Sequence, residues 1–246
     1  MTDKRSTLSI VTATYNAAQV LPNLVASLRA QTDQDFEWVV ADGGSTDETL
    51  AILKKAADEL MCVKVDSRPD FGIYDALNRG VGMANGQYYV VLGADDQLCP
   101  DAVANYRMAC GKSGADLVTA KFRVNDKIIS IREPRWEWLY GQFAHVSGHA
   151  VGLAIRRCLH DHIGFYSRKF PIAADQLFIL QAVHSGAVVH EENFVAGVFD
   201  QKGISCQDAA GSLTEAYRVQ LRIGHGFLLQ TIILILRILK NYRRII

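Results

Sequence analysis

The chain has 246 residues, 49% hydrophobic and 21% charged, which suits a globular protein with one large core, or a core plus a lobe. Its zero net charge hides an asymmetry: six basic and no acidic residues follow Glu215, leaving 20 basic against 26 acidic residues before that point. An acidic body with a basic, apolar tail argues against a general nucleic-acid binder and for contact with an anionic surface at one end. Five scattered cysteines at no metal-ligand spacing argue against a disulfide framework or a zinc site, and the N-terminus carries no apolar signal-peptide stretch, so a reduced, cytoplasmic setting is expected.

LSIVTA (8–13) reads as a buried strand, and Val20, Leu21, Leu24, Val25 and Leu28 give helical spacing over 18–31. FEWVVAD (36–42) is the next strand. Ser45 and Glu48 have the spacing of a capping box, with Leu50, Leu53, Ala57 and Leu60 as the inner face of the helix behind it. CVKVD (62–66) is a third strand, 74–85 a helix, and YYVVL (88–92) a fourth strand. Strands alternating with helices build βαβ units, a parallel sheet and right-handed crossovers. A helix over 100–113 follows. From 115 the alternation loosens. LVTAKFRV and KIISI read as an antiparallel pair, GHAVGLAIRR as a strand running into a short helix, ADQLFILQAVHSG as a helix ending at Gly186, and VVHEE and FVAGVF as late strands. There is no repeat or low-complexity linker, so 1–211 is expected to form one domain. Ser212 and Glu215 have the spacing of a second capping box, opening a helical tail over 212–246.

Ligands of parallel sheets bind beyond the carboxyl ends of the strands, so the polar residues there are the candidates. Asp95 and Asp96 are adjacent carboxylates directly after a buried strand. They fit a divalent cation shared with substrate phosphate, or simply a turn that starts the next helix near Pro100. Asp42, in ADGGSTDET, fits a contact to a base or ribose, or a tight turn before a helix. RPDFGIYDALNRG (68–80) concentrates Arg68, Asp70, Asp75, Asn78 and Arg79, which a solvated loop only partly explains. Asp175 is either a helix cap or a base. His145 and His149 flank a glycine-bearing strand, where a structural role competes with a role in a site.

Four segments in this order, LSIVTATYNAA (8–18), WVVADGGSTDET (38–49), PDFGIYDALNRGVGMANGQYYVVLGADD (69–96) and FPIAADQLFIL (170–180), resemble the family-2 glycosyltransferases of GT-A fold, in particular a bacterial polysaccharide-assembly branch similar to colanic-acid transferases. A fainter likeness continues in KGISCQ (202–207). The resemblance implies an α/β fold with a mixed, mostly parallel sheet, flanking helices and a C-terminal apolar helix. It implies inverting transfer of a sugar from a nucleotide-diphosphate donor, by default a UDP-sugar, to an acceptor hydroxyl in cell-surface polysaccharide synthesis, with Mg2+ or Mn2+. In that pattern Thr12, Ala13, Tyr15 and Asn16 line the nucleotide, Asp42 binds the base edge, and Asp70 and Asn78 complete the pocket. Asp96 is the direct metal ligand, Asp95 partners ribose or a metal-bound water, Asp175 is the catalytic base, and His149 lies on the acceptor side. Three positions depart from the family's pattern: Gly93, where an acidic or amide residue is common, Ala174, where Glu is common before the base, and Lys202-Gly203 in place of a glycine pair.

FLLQTIILILRIL (227–239) is apolar nearly all round and basic behind. Thirteen helical residues reach about 20 Å, short of a hydrocarbon core of roughly 30 Å. A peripheral contact of 226–246 with the inner face of the cell membrane is therefore one expectation, and packing on protein the other. A lipid-linked glycan acceptor would make membrane proximity useful. Against the enzyme reading stands a nucleotide-sugar binder without turnover, kept open by Gly93 and Ala174. A dinucleotide-dependent oxidoreductase is disfavoured by the missing glycine fingerprint.

Overall fold

A computed structural model describes residues 7–132, 134–200 and 208–245. Its first half is a run of β/α units: β1 (Leu8–Thr14), α1 (Leu21–Arg29), β2 (Phe36–Asp42), α2 (Thr49–Ala57), β3 (Val63–Ser67), α3 (Ile73–Met83) and β4 (Tyr88–Val91). Strands β1 and β2 are buried almost throughout, as expected of apolar runs sandwiched between helices on both faces. A two-residue strand β5 (Gln97–Leu98) precedes α4 (Ala102–Ser113). Then come β6 (Leu117–Val124), β7 (Lys127–Ile129), a short α5 (Glu137–Tyr140), β8 (Leu153–Arg156), α6 (Leu159–Ile163), α7 (Ala174–His184) and β9 (Val189–Val198). Helices α8 (Ala209–Arg222), α9 (Phe227–Lys240) and α10 (Tyr242–Ile245) close the described chain.

The described strands form one sheet in the order β3-β2-β1-β4-β8-β6-β9-β5, with β7 paired to β6. Strands β3, β2, β1 and β4 are mutually parallel, so their carboxyl ends share one rim. Strand β8 is antiparallel to both β4 and β6, and β9 is parallel to β6. Two cores flank the sheet. One packs α1, α2 and α4 side chains on one face, around Trp38, Tyr88 and Tyr106. The other packs α3 and α7 with Val219 of α8, around Tyr89, Tyr166 and Phe178. Helix α3 lies close against β1 because position 80 is glycine: a Cβ there would stand 2.6 Å from Val11 Cγ1.

Several local expectations change. Neither capping box forms. Glu48 makes no side-chain cap, Ser45 Oγ donates instead to Asp42 Oδ1 at 2.5 Å, and Asp47 takes the Thr49 amide and hydroxyl. The inner face of α2 is Leu53 and Ala56, continued by Leu60, while Leu50 and Ala57 are exposed. In the tail, α8 starts before Ser212, capped by Asp208, and Glu215 turns inward to accept from the amides of Ile172 and Ala173, both at 2.9 Å. The expected boundary at 211 thus falls inside a helix whose Glu215, Val219 and Gln220 are buried against the body. VVHEE and FVAGVF merge into the single strand β9. The likeness at 202–207 and the Lys202-Gly203 departure lie outside the described residues.

Candidate active site

The rim is organised by Asp42, the last residue of β2, which has no exposed surface. Its Oδ1 accepts from Thr14 Oγ1 at 2.9 Å and Ser45 Oγ at 2.5 Å. Its Oδ2 accepts from the amides of Gly44 and Ser45 and from Ser67 Oγ. Burial alone would raise the carboxyl's pKa, but the bonds from Ser45, Ser67 and Thr14 override it and hold the group below the usual aspartate range. Five donors from the tips of β1, β2 and β3 saturate this carboxylate, so contact with a base edge would have to displace one of the serine hydroxyls.

Asn16 adopts a left-handed conformation, φ 46°, and ties the same tips together: its amide donates to Ser45 Oγ and its Oδ1 accepts from the Thr46 amide. Tyr15 stands in solvent with its ring edge over Gly43, where a Cβ would come within 3.3 Å of the ring and 2.8 Å of Asp70 Oδ2. Tyr15, Gly43 and Asp70 therefore meet at one spot, an exposed aromatic beside a carboxylate over bare backbone. Arg79 holds that spot from below, donating to Asp66, Asp70 and the carbonyl of Asp42. Ala13 is half-buried on the neighbouring strand. Thr12, expected to line the nucleotide, is fully buried, and its Oγ1 accepts the Trp38 indole N–H at 3.0 Å, so its side chain faces the core. Asn78, expected to complete the pocket, has both ends of its amide bonded to the Tyr166 backbone at 2.9 Å, so it straps α3 to the loop before α7.

Past β4, the chain from Leu92 to Asp96 is held on both sides. The Leu92 amide continues the β1 ladder, and β5 pairs with β9, which brings the Asp200 amide to 3.1 Å from Asp96 Oδ1. The Gly93 amide donates to Asp96 Oδ2 at 2.7 Å. Gly93 also explains its own departure from the family pattern: a Cβ there would stand 2.7 Å from Asp95 Oδ1 and 3.0 Å from Asp96 Oδ2, space the two carboxylates use. Asp96 is buried, and that burial pushes its carboxyl up to about 7; repulsion from Asp95 and Asp200 adds to the effect, and the two amide bonds only partly oppose it.

Such a carboxylate calls for a counter-charge, which is the environment a hard divalent cation fits. Among the described residues no cluster of three or more His, Cys, Asp or Glu is arranged to hold a metal ion. The carboxylates at this point of the rim are Asp95 and Asp96.

Asp175 lies in the first turn of α7, whose N-cap is Ala173 and makes no side-chain cap. The carboxylate does not serve its own helix: Oδ1 accepts from Tyr74 Oη at 2.7 Å and Oδ2 faces His149 Nδ1 at 3.8 Å. His149 is brought to this rim by its neighbour, because Ala150 bridges Val91 at the end of β4. Tyr74 comes from α3, which packs on β1 and β2. Asp175 and His149 thus stand beside the carboxyl end of β4, the strand that runs on into Asp95 and Asp96. His145 goes elsewhere, bonding Glu137 at 2.5 Å together with His184 and His225. Sequence reading missed Tyr74, Tyr166 and Asp200. Asp200 carried a usable signal, a carboxylate ending an apolar strand like Asp42. The two tyrosines carried none beyond ordinary core aromatics.

Residues 9–170 match the sequence profile of Glycosyl transferase family 2. The chain belongs to that family. As a family-2 glycosyltransferase it is 36% identical over 190 residues to a PGL/p-HBAD biosynthesis glycosyltransferase from Mycobacterium bovis BCG, an alignment covering 74% of this chain and 71% of that one. Its fold is GT-A. It superposes on S. aureus TarS in complex with UDP-GlcNAc with a TM-score of 0.72 and 19% identity, covering 96% of this chain and 73% of that one. It also superposes on a mannosyltransferase from Pyrobaculum calidifontis in complex with GDP-Man and Mn2+, with a TM-score of 0.71 and 19% identity, covering 98% and 72%.

Proposed function

We propose that this glycosyltransferase transfers a sugar from a nucleotide-diphosphate donor, a UDP-sugar by default, to a hydroxyl of a glycan or lipid-linked glycan, with inversion at the anomeric carbon. The observation that carries the reading is the position of Asp175 beside His149, whose neighbour Ala150 bridges the end of β4, the strand that runs on into Asp95 and Asp96. Support comes from the relatives: one is named for glycolipid-type biosynthesis, and the two solved structures hold UDP-GlcNAc and GDP-Man.

In this reading the exposed Tyr15 ring, Gly43 and Asp70 receive the nucleoside, with Ala13 and Asn16 shaping the strand tip. Asp96, with Asp95, would hold Mg2+ or Mn2+ against the diphosphate. When bound, that ion supplies Lewis-acid stabilisation of the departing nucleoside diphosphate. Asp175 takes the proton of the acceptor hydroxyl as its oxygen attacks the anomeric carbon opposite the leaving group. Asp175→Asn is expected to lower kcat on the order of a hundredfold or more while leaving donor affinity near that of the unaltered enzyme. Equal loss of donor binding, or retained turnover, would overturn the base assignment. Donor hydrolysis and transfer measured with and without Mn2+ test the metal assignment.

The exposed face of α9 supports peripheral attachment to an anionic membrane. Leu228, Ile232, Ile235, Leu236 and Leu239 are exposed, while Gln230 and Ile233 are buried and Gln230 anchors to the Trp138 carbonyl at 2.8 Å. Among the described residues no helix is long and apolar enough to cross a membrane. The reading is of a helix lying in the interface with Lys240 and Arg243 near headgroups, on the cytoplasmic side, while Arg237 turns inward to the Leu139 carbonyl. Replacing Leu228 and Leu236 by Glu is expected to abolish co-sedimentation with phosphatidylglycerol vesicles without loss of transfer to a soluble acceptor. Undiminished co-sedimentation would refute it.

A further inference from the structure

Behind Asp175 runs a chain of buried polar groups that the transfer chemistry above does not use. His149 Nε2 lies 2.8 Å from Tyr166 Oη, which lies 2.6 Å from Tyr89 Oη, which lies 2.8 Å from His160 Nε2. His160 Nδ1 ends the chain 3.0 Å from the carbonyl of Gly164. His149, Tyr166, Tyr89 and His160 are all buried.

The far end fixes the direction of every bond. A carbonyl only accepts, so His160 Nδ1 carries a proton. Burial pushes His160 down to about 4, so at neutral pH its ring holds just that one proton and Nε2 is an acceptor. Tyr89 must then donate to His160. A 2.6 Å contact between two hydroxyl oxygens needs a proton between them, and Tyr89 has already used its own, so Tyr166 donates to Tyr89. Tyr166 has no proton left for His149. His149 Nε2–H therefore donates to Tyr166, and a neutral His149 has a bare lone pair on Nδ1. That lone pair faces Asp175 Oδ2 at 3.8 Å, about 1 Å longer than a hydrogen bond, the spacing of two acceptors with no proton between them.

From this polarity we infer that His149 is a positioning residue and proton acceptor acting through Asp175: the proton that Asp175 takes from the acceptor hydroxyl passes to His149 Nδ1. The inference rests on the base reading of Asp175. The balance is complete. The acceptor oxygen bonds to the anomeric carbon, the bond from that carbon to the diphosphate breaks, and its electron pair leaves with the nucleoside diphosphate. The proton moves from acceptor oxygen to Asp175 Oδ2 and on to Nδ1, leaving an imidazolium beside a carboxylate that has regained its charge. The proton returns to solvent through Asp175 after the product departs. The titratable groups facing His149 are Asp175 from α7, Tyr166 from the loop before it and, one ring further, His160 of α6. Burial lowers the pKa of His149 and Asp175 opposes that, so the ring is neutral before the reaction and has its counter-ion waiting.

The closing experiment combines nitrogen-15 NMR of histidine-labelled protein with kinetics. The unaltered enzyme at neutral pH is expected to show His149 as the Nε2–H tautomer. Tyr166→Phe, which removes the acceptor of that proton, is expected to move it to Nδ1. His149→Gln keeps an amide donor for Tyr166 but removes the Nδ1 acceptor. It is expected to lower kcat on the order of tenfold to a hundredfold with donor KM unchanged, and to move the acidic limb of the kcat–pH profile to lower pH. A proton on Nδ1 in the unaltered enzyme, or an unshifted profile in His149→Gln, would overturn the inference. Retained turnover in Asp175→Asn would instead remove the base reading, and the tautomer measurement does not depend on turnover.

Discussion

Glu215 joins the tail to the segment that carries Asp175, and the structure says how strongly. A single oxygen, Oε2, accepts both the Ile172 and Ala173 amides at 2.9 Å, and the residue is buried. Glu215→Ala leaves two backbone donors without a partner, each worth about 1–3 kcal/mol, so a loss of about 3 kcal/mol is expected. Glu215→Gln keeps a carbonyl oxygen able to stand where Oε2 stands, so only the charge assistance goes, about 1 kcal/mol. The same segment holds Asp175, the proposed base: the Ile172 carbonyl accepts from Tyr74 Oη, which also bonds Asp175. Glu215→Ala is therefore expected to lower kcat about tenfold beyond its effect on folding, equivalent to about 1.4 kcal/mol in the barrier. Urea denaturation followed by tryptophan fluorescence gives the stabilities, and initial rates well below the transition give kcat. If Glu215→Gln were as damaging as Glu215→Ala, the geometric reasoning would fail. A loss below about 0.5 kcal/mol in Glu215→Ala would refute the role of the two amides.

Gly93→Ala places a methyl where Asp95 Oδ1 and Asp96 Oδ2 now sit, so the Mn2+ concentration for half-maximal transfer should rise about tenfold with little change in thermal stability; an unchanged metal titration would count against the assignment of this pair. At the opposite end of the sheet, burial would raise Glu37, but bonds from Lys64, Ser9 and the amides of Asn85 and Gly86 hold its carboxyl below the usual 4.5. A depressed folded-state value means the stabilisation is present above pH 4.5 and drains away as the pH falls through that value and below. Denaturation midpoints between pH 3 and 6 should show this acid slope, and Glu37→Gln should flatten it while lowering stability at pH 7.

The βα order and the rim positions were legible because apolar runs alternate with helical spacing and end in polar residues. Asp42, Asp95 and Asp96 all stand where a strand hands over to a loop. The burial of the Thr12 side chain was not legible for a physical reason: on a strand buried on both faces, alternation does not say which side chain meets a rim and which meets a helix. The bonds of Asn78 to Tyr166 were hidden similarly, since polarity at the middle of a helix does not distinguish a pocket from a strap to a distant loop. Both capping boxes had the right spacing, yet tertiary partners claimed their side chains, Ser45 by Asp42 and Glu215 by the start of α7. The file of rings from His149 to His160 joins β4, α6 and two loops, and nothing local to any of them announces the contact.

The five bonds converging on Asp42 also bear on how such an enzyme can change over evolutionary time. The ends of β1 and β3 and the loop after β2 are riveted to one carboxylate, so none of them can shift without disturbing the other two. On the proposed donor site, new preferences would therefore arise by exchanging the side chains that stand on this platform, Tyr15 and Asp70 foremost, while the platform itself is inherited whole.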